Sequence, residues 1–220
     1  MKKKKKFTKE KLIEKDLIKI GLFLFFLVFI FYVSSSYFKS LNEFKYEGLT
    51  FNKVKYGNIP LFHHYYYIDA GQSNLIKYNL YTRTDPRTND FIVEGEDLLI
   101  DISKPLYVSV NATGLQKCEY SVVGVSDLTS FLSDHQFNIK GGNVNFFEAW
   151  AKGQEWITCE SKQDSSVIEI FEGLENKISK EGNCFKIEVA NCDIMKAVDK
   201  FRVQHIIDVR KNGKFKRISS

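Results

Sequence analysis

The chain has 220 residues, 44% of them apolar, and a formal net charge of +5 that is concentrated at its two ends. Residues 1–19 carry nine lysines against three acids, and Arg210, Lys211, Lys214, Lys216 and Arg217 close the chain, whereas residues 39–209 hold 18 basic and 24 acidic groups. A nucleic-acid binder concentrates cations on its folded surface to displace counterions, so this balance excludes nucleic acid as a partner.

The basic tail, residues 1–19, leads into residues 20–38, a run of nineteen without a charge. As a helix this run is about 28 Å long, close to the roughly 30 Å thickness of a bilayer's hydrocarbon core. Lysines in front of a span stay on the cytoplasmic side, which predicts a single-pass protein of the cell membrane. Its N-terminus is then cytoplasmic and its C-terminal domain lies outside, with the lipid bilayer as its first partner. The apolar run exceeds the usual 7–15 residues of a cleaved signal, and its phenylalanines continue nearly to Val33, so it reads as an uncleaved signal anchor. Ser34, Ser35 and Ser36 supply small residues and keep cleavage open as an alternative. A minor pilin-like subunit is a further alternative, although Ile20 rather than a basic residue precedes Gly21.

Residues 39–43 read as a short linker, and residues 44–209 as one α+β domain with a basic tail at 210–220. Strands are predicted at 48–56, 60–68, 75–83, 97–102 and 106–110, separated by turn-forming residues that include Asp85, Pro86, Asn89 and Asp90. Residues 118–125 read as a strand entering a helix capped by Ser126 or Asp127 that carries Leu128, Phe131 and Leu132. Gly141 and Gly142 end that unit. Strands at 155–160, 167–171 and 184–190 follow. The clearest helix comes last, capped by Asn191 or Asp193, with Ile194, Ala197, Val198, Phe201 and His205 on one face. The expected architecture is mainly antiparallel, with this helix packed on the sheet.

All four cysteines, Cys118, Cys159, Cys184 and Cys192, follow the apolar run, and an even number in an oxidising compartment favours disulfides. If residues 184–190 form a strand, Cys184 and Cys192 are eight steps apart, about 26 Å at ~3.3 Å per residue. A bridge needs Cα atoms within about 7 Å, so pairing of Cys118 and Cys159 with Cys184 and Cys192 is favoured over Cys184–Cys192. Either cross-pairing remains open. Asn111 begins the only N-x-S/T sequon and is a glycosylation candidate.

Candidate chemistry is sparse. His63 and His64 are strand neighbours and point to opposite faces, so they do not readily chelate one metal. His63, Tyr65 and Tyr67 share one face and form a candidate binding stripe; His64, Tyr66 and Ile68 share the other. Ser133, Asp134 and His135 sit in line, which suits a helix end better than a catalytic triad assembled from distant segments. Asp85, Asp90, Glu94, Glu96 and Asp97 cluster in sequence without the spacing of a calcium loop. There is no G-x-S-x-G, H-E-x-x-H, P-loop or G-x-G-x-x-G, so no catalytic, cofactor-binding or metal-binding residue is assigned.

Asp85-Pro86-Arg87 after a strand, Trp156-Ile157-Thr158-Cys159-Glu160, Val167-Ile168-Glu169-Ile170 and the run from Asn183-Cys184 to Asn191-Cys192-Asp193-Ile194 resemble uncharacterised single-pass membrane proteins of small-genome archaea. The similarity covers roughly residues 45–208 and implies an anchored extracytoplasmic domain, carrying over no catalytic residue. The expected role is a protein-interaction or envelope-structural module with a membrane or envelope protein as partner. The alternative is an extracytoplasmic ligand-binding domain or hydrolase-like enzyme.

Overall fold

The computed structural model describes residues 3–69 and 75–213, with side chains over 16–68 and 75–213. Two compact units divide at Phe44 and Lys45. The first is dominated by helix α1 (Lys3–Asn42), whose segment Asp16–Asn42 is long and apolar enough to cross a membrane and contains no buried residue. The expected linker at 39–43 is absent, because the helix continues through Asn42 and strand β1 begins at Glu43. Lys39 and Glu43 pair one helical turn apart at 3.9 Å across that junction.

An antiparallel sheet has four strands in chain order: β1 (Glu43–Tyr46), within which the division falls, and β2 (Leu49–Tyr56), β3 (Ile59–Asp69) and β4 (Leu75–Thr82) of the second unit. Two-residue turns close its first two hairpins, with Glu47 at φ +47° and Gly48 at φ +81° in one and Gly57 at φ +60° in the other. One sheet face buries Leu49, Phe51, His64, Tyr66 and Leu80.

The second sheet has six strands in the order β5 (Ile92–Gly95), β9 (Lys177–Glu181), β10 (Cys184–Val189), β8 (Ser166–Glu172), β6 (Leu106–Val110) and β7 (Ile139–Asn143). Only β9 and β10 pair antiparallel; β5–β9, β10–β8, β8–β6 and β6–β7 are parallel. The α+β class therefore combines an antiparallel sheet with a mixed one. Parallel neighbours need crossovers, and helices α2 (Ala112–Leu115) and α3 (Ser121–Asp134) make the one between β6 and β7. Helix α4 (Phe146–Lys152) follows β7, and the last helix is α5 (Ile194–Lys211).

Helix α5 packs on β9 and β10 and against α3, and its Ile194, Ala197, Val198 and Phe201 are fully buried. Each large apolar side chain so buried stabilises by about 1.5–3 kcal/mol. Phe201 meets Phe185 of β10 edge-on at 6.1 Å. The opposite sheet face is covered by the segment after α4: Ile157 packs on Tyr107 and Val167, Ser109 Oγ donates to the Ile157 carbonyl at 2.7 Å, and Cys159 joins Cys184.

Several expected elements differ. Residues 118–125 form no strand, because α3 already starts at Ser121. Gly124 lies where a Cβ would stand 2.7 Å from Ile194, so close helix packing overrides the β preference of Val122, Val123 and Val125. Residues 97–102 are irregular; Leu98 instead donates its N–H to Asp208 at 2.8 Å and accepts at its carbonyl from His205 Nδ1–H at 2.6 Å, both residues on α5. Residues 155–160 contribute one bridge, Trp156 to Asn143, before turning. Gly141 and Gly142 lie within β7 rather than ending a unit; a Cβ on Gly142 would stand 2.5 Å from Ile157. Strands β1, β5, β7 and β9 and helices α2 and α4 are additional. Arg210 and Lys211 of the expected tail belong to α5, and residues 214–220 lie outside the described residues.

Candidate functional site

The candidate stripe occupies the open face of β3 and β4. Register places His63 opposite Tyr81, Tyr65 opposite Asn79 and Tyr67 opposite Lys77. His63 stacks on Tyr81 at 4.7 Å between centroids and bonds through Nε2 to Asn79 Oδ1 at 3.0 Å. The Lys77 ammonium lies 4.1 Å from the centre of the Tyr65 ring, and Tyr65 meets Tyr67 edge-on at 6.4 Å. The result is a cross-strand aromatic ladder with one cation over it, a surface suited to stacking and hydrogen bonding.

The inward face is a buried polar chain. His64 donates Nδ1–H to the Thr50 carbonyl at 2.9 Å, and burial lowers its pKa. Tyr66 donates its hydroxyl proton to His135 Nε2 at 2.6 Å, while His135 Nδ1–H donates to the Phe131 carbonyl at 2.6 Å. A carbonyl can only accept, so Nδ1 carries a proton, and burial pushes the ring's pKa down, which leaves Nε2 of the neutral ring as the acceptor for Tyr66. Burial drives the Tyr66 phenol far above its ordinary value and, with Asp134 nearby, pushes Tyr78 up to about 12. His135 thus closes the end of α3 against β3, while Ser133 faces solvent. His205, wedged among Phe131, Phe137 and Phe201, donates Nδ1–H to Leu98 and is pushed down to about 4 by burial.

The sequence cluster of acids disperses in space. Asp85 pairs with Arg87 at 2.6 Å, Glu94 with Lys177 at 2.6 Å and Glu96 with Lys180 at 3.0 Å, while Asp97 accepts from Asn212 at 2.7 Å. Among the described residues no group of three or more histidines, cysteines or carboxylates is placed to hold a metal ion. Asp199 Oδ2 accepts the Arg83 and Thr84 N–H groups at 2.9 Å each, and its Oδ1 meets Arg202 at 2.5 Å. Burial pushes this carboxyl up against the downward pull of those three donors.

The cysteines pair as Cys118–Cys192 and Cys159–Cys184, with Cα separations of 5.1 and 5.4 Å. The first bridge ties the start of α3 to the turn before α5, where Asn191 and Cys192 hold φ values of +52° and +63°. The second borders a recess of about 190 Å³ lined by Gln163, Ser165, Val167, Glu181 and Asn183. Asn111 caps α2, its Oδ1 accepting from the Gly114 N–H at 3.1 Å.

One exposed aromatic cluster in the second unit was not legible as a site. Helix α4 turns Phe146, Phe147 and Trp150 outward, at 55%, 78% and 79% exposure, beside Trp156 at 43%. Phe146 meets Phe147 at 5.6 Å and Trp156 at 5.7 Å, both edge-on. Asn145 caps the helix by accepting from the Phe147 and Glu148 N–H groups, and Gly153 ends it in the left-handed region. Asn145 with Glu148 three residues on is a helix-start signal, and positions 146, 147 and 150 then share a face. Glu148 turns back into the protein, where Lys152 at 2.5 Å and the Thr113 N–H hold its carboxyl down at about 2. No family model, curated protein or solved structure matches the chain.

Proposed function

We propose that the protein is a single-pass membrane-anchored interaction or envelope-structural module, with a cytoplasmic N-terminus and its disulfide-bonded domain outside. The observation that carries this reading is the junction. An unburied apolar helix runs, with no intervening linker, into a domain closed by two disulfides. The lysines ahead of the apolar run supply the orientation, and bridged cysteines suit an oxidising compartment. The separation of His63 from His64 across β3, and of the carboxylates onto different partners, supports binding over hydrolysis. The ladder of His63, Tyr65, Tyr67 and Tyr81 is the surface offered to a membrane or envelope partner, since aromatic rings favour interfaces. Crosslinking of intact cells, extraction of tagged full-length protein in mild detergent and mass spectrometry test this. A reproducible envelope partner lost on Tyr65→Ser and Tyr81→Ser is expected; a protein recovered alone refutes the interaction role.

A further inference from the structure

Four exposed rings on one short helix and its neighbouring segment form a contiguous apolar patch, the kind of surface that often marks an interaction site. We propose that the face formed by Phe146, Phe147, Trp150 and Trp156 is a bilayer contact, seated among the headgroups of the membrane that α1 crosses; this rests on the anchored reading above. Three observations favour lipid over another occupant. First, Phe147 and Trp150 are nearly four-fifths exposed, so they stand proud of the surface. A protein partner would need a matching cleft, whereas a lipid surface yields around a projecting ring, and aromatic side chains concentrate at this depth.

Second, the charges around the rings suit phospholipid. Glu148 is folded under α4 and neutralised by Lys152, whose ammonium remains half exposed at the rim. Glu155, next to Trp156, is paired with Lys162 at 2.7 Å. No unpaired carboxylate among these neighbours opposes a lipid phosphate, and the two ion pairs leave the rim neutral rather than anionic. Third, the domain cannot leave the membrane. Strand β1 begins at the residue after α1 ends, and a unit of this size has a radius of gyration of about 16 Å. Tethering holds the bilayer at a permanently high effective concentration, so a weak contact is populated.

The chain's two tryptophans, Trp150 and Trp156, both lie in this face, so emission excited at the red edge, where its eleven tyrosines do not absorb, reads this face alone. Full-length protein is reconstituted into phosphatidylcholine vesicles with a minor anionic fraction, with and without bromine on the acyl chains. Flotation with the vesicles reports the anchor; emission reports the face. Expected are flotation, an about two-fold loss of emission in brominated vesicles, and poor quenching by aqueous iodide. The surface variant Phe146→Ser with Phe147→Ser floats equally but loses most of the bromolipid quenching. Protein that floats while its tryptophans stay open to iodide and blind to bromine overturns the proposal and leaves the anchor intact. Iodide shielding that grows with protein density, without bromine quenching, shows a second copy on the face and also overturns it. Protein that fails to float removes the anchor and this contact together.

Discussion

His205 makes the stability of the domain pH-dependent in a calculable direction. Its ring is enclosed by Phe131, Phe137 and Phe201, donates Nδ1–H to Leu98 and has a folded pKa of about 4. In the unfolded chain it returns to about 6.5, so below that pH the unfolded state binds the extra proton and gains. The contribution is complete above pH 6.5 and is lost as pH falls towards 4. At about 1.4 kcal/mol per pH unit, the loss reaches about 3 kcal/mol. His64 and His135, also lowered by burial, act with the same sign. Asp199 and Asp208, raised by burial, act oppositely, because the folded state then holds their protons more tightly as pH falls. The variant His205→Asn isolates the histidine, since it keeps a donor at the δ position and removes the titration. Urea unfolding of the full chain in mild detergent, followed by near-ultraviolet circular dichroism at pH 7.5 and pH 4, supplies the comparison. The variant should lose about 3 kcal/mol less between the two pH values than the parent. Equal losses would show that His205 is not held neutral in the core.

Two further perturbations test the packing. Gly142→Ala would place a Cβ 2.5 Å from Ile157, and overpacking of this kind costs about 1–3 kcal/mol. Ile157→Ala should relieve part of it, and a double-mutant cycle in urea measures the coupling. The bridge Cys118–Cys192 spans 74 residues and Cys159–Cys184 spans 25, so loop-closure entropy assigns them about 4.5 and about 3.5 kcal/mol. Paired Cys→Ser variants should rank in that order by urea midpoint, and non-reducing peptide mapping should recover these two pairs.

What was legible from sequence was set by periodicity, and what was not was set by partners distant in the chain. The alternation at 48–56 and 60–68 places β2 and β3, and the spacing of Ile194, Ala197, Val198 and Phe201 places α5 with the buried face expected of it. Val122, Val123 and Val125 point the other way, because the helix there depends on Gly124 admitting Ile194 from 70 residues onward. Leu98 and Ile100 look like a strand, yet the Leu98 N–H and carbonyl are satisfied by side chains of α5, which no local pattern reveals. The stripe of His63, Tyr65 and Tyr67 follows from two-residue alternation alone. The aromatic face on α4 does not, because a seven-residue helix shows too few turns for its period to register.

Helix α5 carries a polar row beside its apolar one, and that row explains how the two sheets become one domain. Direct strand-to-strand contact between the sheets is slight. Asp199 instead receives the Arg83 and Thr84 N–H groups just past β4, Arg202 donates to the Tyr81 carbonyl at 3.2 Å, and Asp208 and His205 hold Leu98 beyond β5. Helix α3 adds the Tyr66–His135 bond from the other side. Removing one partner of a buried pair leaves the other charge uncompensated, so Asp199→Ala should cost about 3–5 kcal/mol. The loss should also be local. Hydrogen exchange of the Leu75–Thr82 amides should accelerate at denaturant concentrations where β8 and β10 remain protected, because those strands are packed by Phe185, Phe201 and Ile194 without Asp199. Uniform acceleration across both sheets would instead mean that the sheets unfold as one cooperative unit, and that the polar row of α5 is not the joint between them.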